Sequence, residues 1–227
     1  PEGRLRTHKL LSENPGRYAD AAAQGIREML GLWAEEPIPG GRIASVKMGT
    51  TVATNALLER KGDRTALLVT EGFGDVLRIG YQNRPRLFDL HVRLPELLYE
   101  RVAEVPERLD AGGEVLTALD EGAVRAALKK IHADGIRGVA VALMHAYANP
   151  AHERRIGEIA RELGFTQVSL SHEASRLIKI VGRGDTAVVD AYLSPILRRY
   201  VEAIDGELGG QAPLYFMQSN GGLTEAG

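Results

Sequence analysis

The chain has 227 residues, of which 44% are hydrophobic and 26% charged, with a formal net charge of -2. That is enough for one or two domains with a substantial core, and it lacks the basic excess that would draw it to nucleic acid or an acidic membrane. Aromatic residues at 5% argue against a base-stacking surface, and the lack of cysteine excludes a disulfide framework, a thiolate zinc site and a cysteine nucleophile. The expected location is cytoplasmic, because cysteine is absent and no apolar run approaches the ~18 residues of a membrane span.

In chain order, the helical spacing of Ala22, Ile26, Met29 and Leu30 predicts a helix over Tyr18–Trp33. Ile43–Met48 reads as a strand running into Gly49-Thr50-Thr51, then a helix over Thr51–Lys61 closed by Gly62. Arg64–Thr70 reads as a buried strand, and Glu71–Gly80 holds a short helix through Phe73, Val76 and Leu77. Residues 81–118 read as an extended segment, with short strands near Ala103–Leu109 and Glu114–Leu116 around an Ala111-Gly112-Gly113 turn. Asp120 caps a helix to Ala133, Gly138–Met144 is a buried strand, and a helix from Pro150 or Ala151 runs to Leu163 and stops at Gly164. Gln167–Leu170 is a strand, Asp185–Leu208 is the longest helix, bent near Pro195, and Leu214–Met217 is the last strand before a turn at Ser219–Gly222. This alternation predicts an α/β fold, a mostly parallel or mixed sheet with helices packed on it. A boundary at 176/177 separates an α/β region, 1–176, from the start of a further domain, 177–227. The ends, Pro1 without an initiator Met and Gly227 just beyond a glycine-rich turn, lead us to expect a piece truncated on both sides.

The strand-to-helix turn at Gly49-Thr50-Thr51 is the first candidate site. Gly49 allows close approach, and the two hydroxyls lie beside unpaired N–H groups at a helix start, where anions and polar carbonyls bind. A plain N-cap explains the same residues. Asn55, four residues on, shares the face of Thr51; a solvated asparagine is the alternative. Gln82, Asn83 and Arg84 make a polar run after Gly80, in which the planar fork of Arg84 suits a carboxylate, unless it is a solvated loop arginine. Arg183 lies between Gly182 and Gly184 at the mouth of the long helix, a candidate partner for an oxyanion or phosphate, with Asp185 where an N-cap is expected. Ser219-Asn220-Gly221-Gly222 has the composition of a tight turn, with cleft lining as the alternative. No histidine pair has the HxxxH or HExxH spacing of a helical metal site. His145 and His152, across Asn149-Pro150, come nearest, and core or capping roles account for them; the helix dipole accounts for Glu153.

Several stretches occur together in order: Val46–Asp75, Ile79–Asp89, Asn149–Glu153, Ser169–Glu173, Arg183–Thr186, Asp190–Pro195 and Gln218–Leu223. This set resembles the hydantoinase A/5-oxoprolinase family. The runs Met48–Gly62 and Arg183–Pro195 look closer to its ATP-dependent 5-oxoprolinase branch than to its acetone carboxylase branch. Leu177–Val181 departs from the acidic, aromatic stretch of other branches. The resemblance implies part of an actin-like, sugar-kinase-like ATPase architecture whose glycine-rich phosphate loops lie outside this sequence. It implies ATP and Mg²⁺ as cofactors of a full-length parent, with none expected on this chain. The implied chemistry is phosphorylation of the amide oxygen of 5-oxoproline, which makes that oxygen a leaving group, followed by attack of water to give glutamate. On this reading Gly49, Thr50, Thr51, Asn55, Gln82 and Arg84 bind substrate, Arg183 and Asp185 are catalytic, Ser219, Asn220, Gly221 and Gly222 line a cleft, and no residue binds metal. The partners are a small cyclic amide and the remaining domains or B-type half of the parent, without nucleic acid or membrane; a homo-oligomer stays open. So do a hydantoinase-type hydrolase, an ATP-dependent ketone carboxylase subunit, and a non-catalytic regulatory or assembly domain.

Overall fold

The computed structural model describes residues 3–226 apart from 13, 15, 19, 34, 35, 84, 85, 87, 89 and 92. In chain order its elements are α1 (Ala21–Leu30), a 3₁₀ turn (Gly40–Arg42), β1 (Val46–Met48), α2 (Val52–Leu58), β2 (Thr65–Thr70), α3 (Val76–Ile79) and β3 (Arg101–Val105). There follow β4 (Arg108–Leu109), β5 (Val115–Thr117), α4 (Glu121–Ala133), β6 (Gly138–Ala142), α5 (Ala151–Glu162), β7 (Gln167–Leu170), α6 (Ser171–Ala174), α7 (Ile180–Glu207), β8 (Leu214–Met217) and β9 (Leu223–Glu225). The α/β expectation holds.

The chain forms two compact units, residues 53–196 and residues 1–52 with 197–227. These units interleave in sequence, whereas the boundary expected at 176/177 followed chain order. β1, near the start, pairs in parallel with β8, near the end, so the two termini share one unit.

The unit 53–196 rests on a parallel sheet ordered β3-β2-β6-β7. Successive strand residues face opposite sides, and both sides are buried here. From β2 and β6, Ala66, Leu68, Val139 and Val141 join a core with Val124, Leu128 and Ile131 of α4 and Ile156 and Ile159 of α5. Leu67, Val69, Ala140 and Ala142 face the other way, onto Leu77 of α3 and Ala187, Val188 and Ala191 of α7. This is why TALLVT and GVAVA read as unbroken apolar runs: a parallel sheet covered on both faces has no polar side. Each fully buried leucine, such as Leu67 or Leu68, contributes roughly 1.5–3 kcal/mol of transfer free energy. The second face carries small residues because α7 lies close to it. A Cβ at Gly184 would stand 2.9 Å from Leu77 Cδ2 and 3.3 Å from Ala142 Cβ.

In the other unit β8 bridges β1, in parallel, and β9, antiparallel. Ile38, Ile204, Leu208 and Leu214 form its core, with Ile26 and Leu30 of α1 packed against them. Asp20 caps α1 through a 2.8 Å bond from the Ala23 N–H.

Within the expected extended segment, β3 joins the main sheet and β4–β5 form an antiparallel pair. Two further expectations are corrected. The long helix starts at Ile180 rather than Asp185, so Asp185 lies within it and does not cap it. Gly62 does not close α2; the left-handed residue after that helix is Arg60, with φ 57°. Gly62 is required instead because a Cβ there would fall 2.0 Å from the Tyr192 ring. We predict that Gly62→Ala lowers stability by about 1–3 kcal/mol through overpacking. Gly206→Ala, in α7 with nothing within 4 Å of the added methyl, should be neutral or stabilising by up to about 1 kcal/mol. Urea unfolding of both variants checks the contrast.

Candidate functional site

The Gly49-Thr50-Thr51 turn is exposed throughout. Thr50 Oγ1 accepts a 3.2 Å bond from the Val52 N–H, a local turn that satisfies the first N–H of α2. It also meets the Tyr200 phenol, whose pKa is pushed up by burial, then by the Asp20 charge, and is drawn back by the Thr50 bond. A Cβ at Gly49 would meet nothing within 4 Å, so packing inside the protein does not explain the glycine. Asn55 is exposed and belongs to the unit 53–196.

Gln82 is also exposed and holds a left-handed φ of 58°, an uncommon state for a residue other than glycine. Arg84 lies outside the described residues. Ser219–Gly222 form the exposed turn joining β8 to β9. The Gly221 N–H bonds the Gln218 carbonyl at 2.9 Å and the Gly222 N–H bonds Asn220 Oδ1 at 2.8 Å, with Gly221 at φ 82°.

The densest polar chemistry lies at the carboxyl ends of β2, β6 and β7, the edge where open parallel sheets bind ligands. Glu153, on the first turn of α5, is fully buried. Its Oε1 accepts from the Leu143 N–H at 2.9 Å and from Ser171 Oγ at 2.5 Å; its Oε2 accepts from the His172 N–H at 3.1 Å and lies 2.6 Å from His172 Nδ1. Arg183 is fully buried too. Its Nε donates to Ser171 Oγ at 2.7 Å, its Nη1 to the carbonyls of Leu177 and Ile178 at 3.1 and 2.9 Å, and its Nη2 to the Leu143 carbonyl. The guanidinium also lies 5.8 Å from the centre of the Tyr147 ring. Burial pulls the Arg183 pKa down, opposed by the charge of Glu153. Ser171 therefore links two buried opposite charges, donating to one and accepting from the other.

A second chain of bonds runs alongside. Thr70 Oγ1 donates to Glu107 Oε1 and accepts from the Met144 N–H at 2.9 Å, while Glu107 Oε2 lies 2.8 Å from His152 Nδ1. Between these chains His145 takes a left-handed φ of 57° and stacks edge-on against Tyr147, ring centres 6.0 Å apart. No group of three His, Asp or Glu able to hold a metal occurs among the described residues.

Arg183 is thus not the accessible cation expected at a helix mouth. The helix begins a turn earlier, and the side chain is folded into the sheet edge, where backbone carbonyls occupy its donors. Sequence reasoning assigned Glu153 to the helix dipole and missed its role. A signal existed: Glu153, Ile156, Gly157 and Ala160 recur at i, i+3, i+4 and i+7, so the acid sits on the core face of its helix.

Asp185 is exposed as a residue, yet burial around its carboxyl pushes the pKa up. No hydrogen bond or ion pair engages that carboxyl among the described residues. A raised carboxyl pKa means the fold favours the protonated form. The stabilisation is present below the ordinary value of 3.8 and is lost as pH rises through the folded value. Asp185→Asn should therefore raise the melting temperature at pH 7, and the gain should shrink as pH falls below the ordinary carboxylate range. An unchanged or lower melting temperature at pH 7 would contradict this.

The chain as a whole is similar to known proteins. The family description "Hydantoinase/oxoprolinase N-terminal region" matches residues 1–164, and "Hydantoinase/oxoprolinase" matches residues 183–227. The chain is 43% identical to 5-oxoprolinase 1 of Arabidopsis thaliana and 39% identical to 5-oxoprolinase of Saccharomyces cerevisiae, over 95% and 96% of its length. It spans only 19% and 20% of those relatives. Among solved structures, the ATP-dependent caprolactamase of Pseudomonas jessenii superposes with a TM-score of 0.76 at 32% identity, over 90% of this chain and 30% of that one. With a family match over most of its length, the chain belongs to the hydantoinase/oxoprolinase family.

Proposed function

We propose that this chain is part of an ATP-dependent cyclic-amide hydrolase that opens 5-oxoproline to glutamate. The observation that carries the reading is the identity of 43% and 39% to two proteins named 5-oxoprolinase, over 95% and 96% of the chain. The substrate on this reading is a small lactam, the working partners are the remaining domains or a B-type half of a longer enzyme, and the location is cytoplasmic. Among the described residues no helix is long and apolar enough to cross a membrane.

The donors of Arg183 are committed to carbonyls and Ser171. ATP and Mg²⁺ belong, in this proposal, to the rest of the enzyme. What the chain contributes is substrate contact. In one unit Thr50 and Thr51, with Gly49 leaving room beside them, and in the other Asn55 and Gln82, are exposed polar groups, each suited to a lactam edge or a carboxylate. Arg183 acts as a positioning residue, fixing the loops that follow β6 and α6. A second reading, a larger lactam ring, is favoured by the likeness to the caprolactamase structure.

The test is ADP release by a polypeptide containing this chain, measured with 5-oxoproline, hydantoin, caprolactam and acetone. We expect ADP and glutamate with 5-oxoproline. Release with one of the others alone would reassign the substrate, and no release with any would leave a non-catalytic role.

A further inference from the structure

Of the five asparagines, Asn14 and Asn149 precede prolines, Asn55 precedes Ala56, Asn83 precedes Arg84, and Asn220 alone precedes a glycine. That Asn-Gly pair lies in the turn between β8 and β9, where residues 217–225 are all exposed. A Cβ at Gly221 would meet nothing within 4 Å, so no packing shields this peptide. Asn220 Oδ1 accepts from the Gly222 N–H at 2.8 Å. Such a turn folds the side-chain amide back over the peptide that follows it, and the bond draws electron density from the amide carbon. The Gly221 N–H donates to the Gln218 carbonyl at 2.9 Å, within an exposed turn whose backbone bonds open at low cost.

We propose that Asn220 is a self-modification site, where the Gly221 nitrogen attacks the side-chain amide and turns the residue into aspartate and isoaspartate. Hydroxide removes the Gly221 amide proton. The bond from Gly221 N to Asn220 Cγ forms, the Cγ–Nδ2 bond breaks, and Nδ2 leaves as ammonia with a proton from water. Water then opens the cyclic imide. Attack at Cγ gives aspartate; attack at the main-chain carbonyl gives isoaspartate, in which the chain runs through Cβ and Cγ. Glycine suits the step because it has no Cβ to block ring closure and reaches the backbone conformations that closure needs. The prolines after Asn14 and Asn149 have no N–H and cannot supply the nucleophile. Asn55 lies within α2, whose helical backbone holds its amide away from the next nitrogen. Either product adds a negative charge to the turn. Isoaspartate also lengthens the backbone inside a turn closed by the 2.8 Å bond from the Gln218 N–H to the Gly222 carbonyl. The pairing of β9 with β8 is then lost, while that of β1 with β8 stays. The isoaspartyl carboxylate is the group that a repair methyltransferase esterifies, which gives the class of partner. None of this depends on the hydrolase reading.

The test is incubation of the 227-residue chain at mildly alkaline pH, native and in urea, followed by peptide mass spectrometry with fragmentation that separates aspartate from isoaspartate. In the native chain residue 220 should deamidate ahead of Asn55 and Asn83, faster as pH rises, with isoaspartate the larger product. Asn14 and Asn149 should stay intact. An isoaspartate-specific methyltransferase with labelled S-adenosylmethionine should then mark the peptide holding residue 220. Gly221→Ala should slow the conversion to the pace of Asn83. Because Gly221 sits at φ 82°, Asn220→Gln serves beside it, removing the reaction without touching that backbone. Amide exchange at Leu223–Glu225 should rise in the isoaspartyl fraction and stay unchanged at Val46–Met48; an unchanged rate at Leu223–Glu225 would overturn the loss of β9 pairing. Conversion at 220 only in urea, a rate no greater than at Asn83, or aspartate without isoaspartate would overturn the proposal. The comparison of residue 220 with Asn83 in the unmodified chain decides the matter even if a variant fails to fold.

Discussion

Glu153 and Arg183 carry opposite charges into the fully buried edge of the parallel sheet, and the Ser171 hydroxyl stands between them. Either charge alone in that place would cost several kcal/mol of desolvation. Together, with Leu143, His172 and the carbonyls of 177 and 178 completing their bonds, they fix the chain wherever they touch it. The Leu143 peptide is held on both sides, its N–H by Glu153 and its carbonyl by Arg183. The strand-end loop carrying His145 and Tyr147 and the loop before α7 are thereby set by one network. Their positions follow from charge compensation rather than from apolar packing.

The same network explains why α7 approaches the sheet so closely. The helix brings Arg183 into the sheet edge only if its next residues lie near β6. Ala140, Ala142, Gly184, Ala187 and Ala191 make that approach possible. A larger side chain at 184 would push the helix away and withdraw the guanidinium from Ser171. Packing and electrostatics here constrain each other, and the small residues of GVAVA and of the Arg183–Tyr192 run are their joint signature.

Much of this was legible in the sequence where one physical signal dominates. The strands Gln167–Leu170 and Leu214–Met217 match their apolar runs, and Asp120 caps α4 as expected, accepting from the Ala123 N–H at 2.9 Å. Signals that depend on distant residues were not legible. Gly62 resembles a helix cap until Tyr192, far along the chain, is seen against it. The pairing of β1 with β8 joins segments more than 160 residues apart and defeats any division made in chain order. Arg183 between two glycines announces an unusual cation, but only the fold shows that Ser171 and three carbonyls surround it. The candidates Gly49 to Thr51, Asn55 and Gln82 are exposed.

The central claim is that the two buried charges compensate each other. A double-mutant cycle tests it directly, with urea unfolding of Glu153→Gln, Arg183→Gln and the double variant. Each single change should be strongly destabilising, by about 3–5 kcal/mol, because it strands a buried charge. The double variant should lose less than the sum, with a coupling of roughly 1–3 kcal/mol. Losses that add to within about 0.5 kcal/mol would show that the charges act independently and would contradict the account.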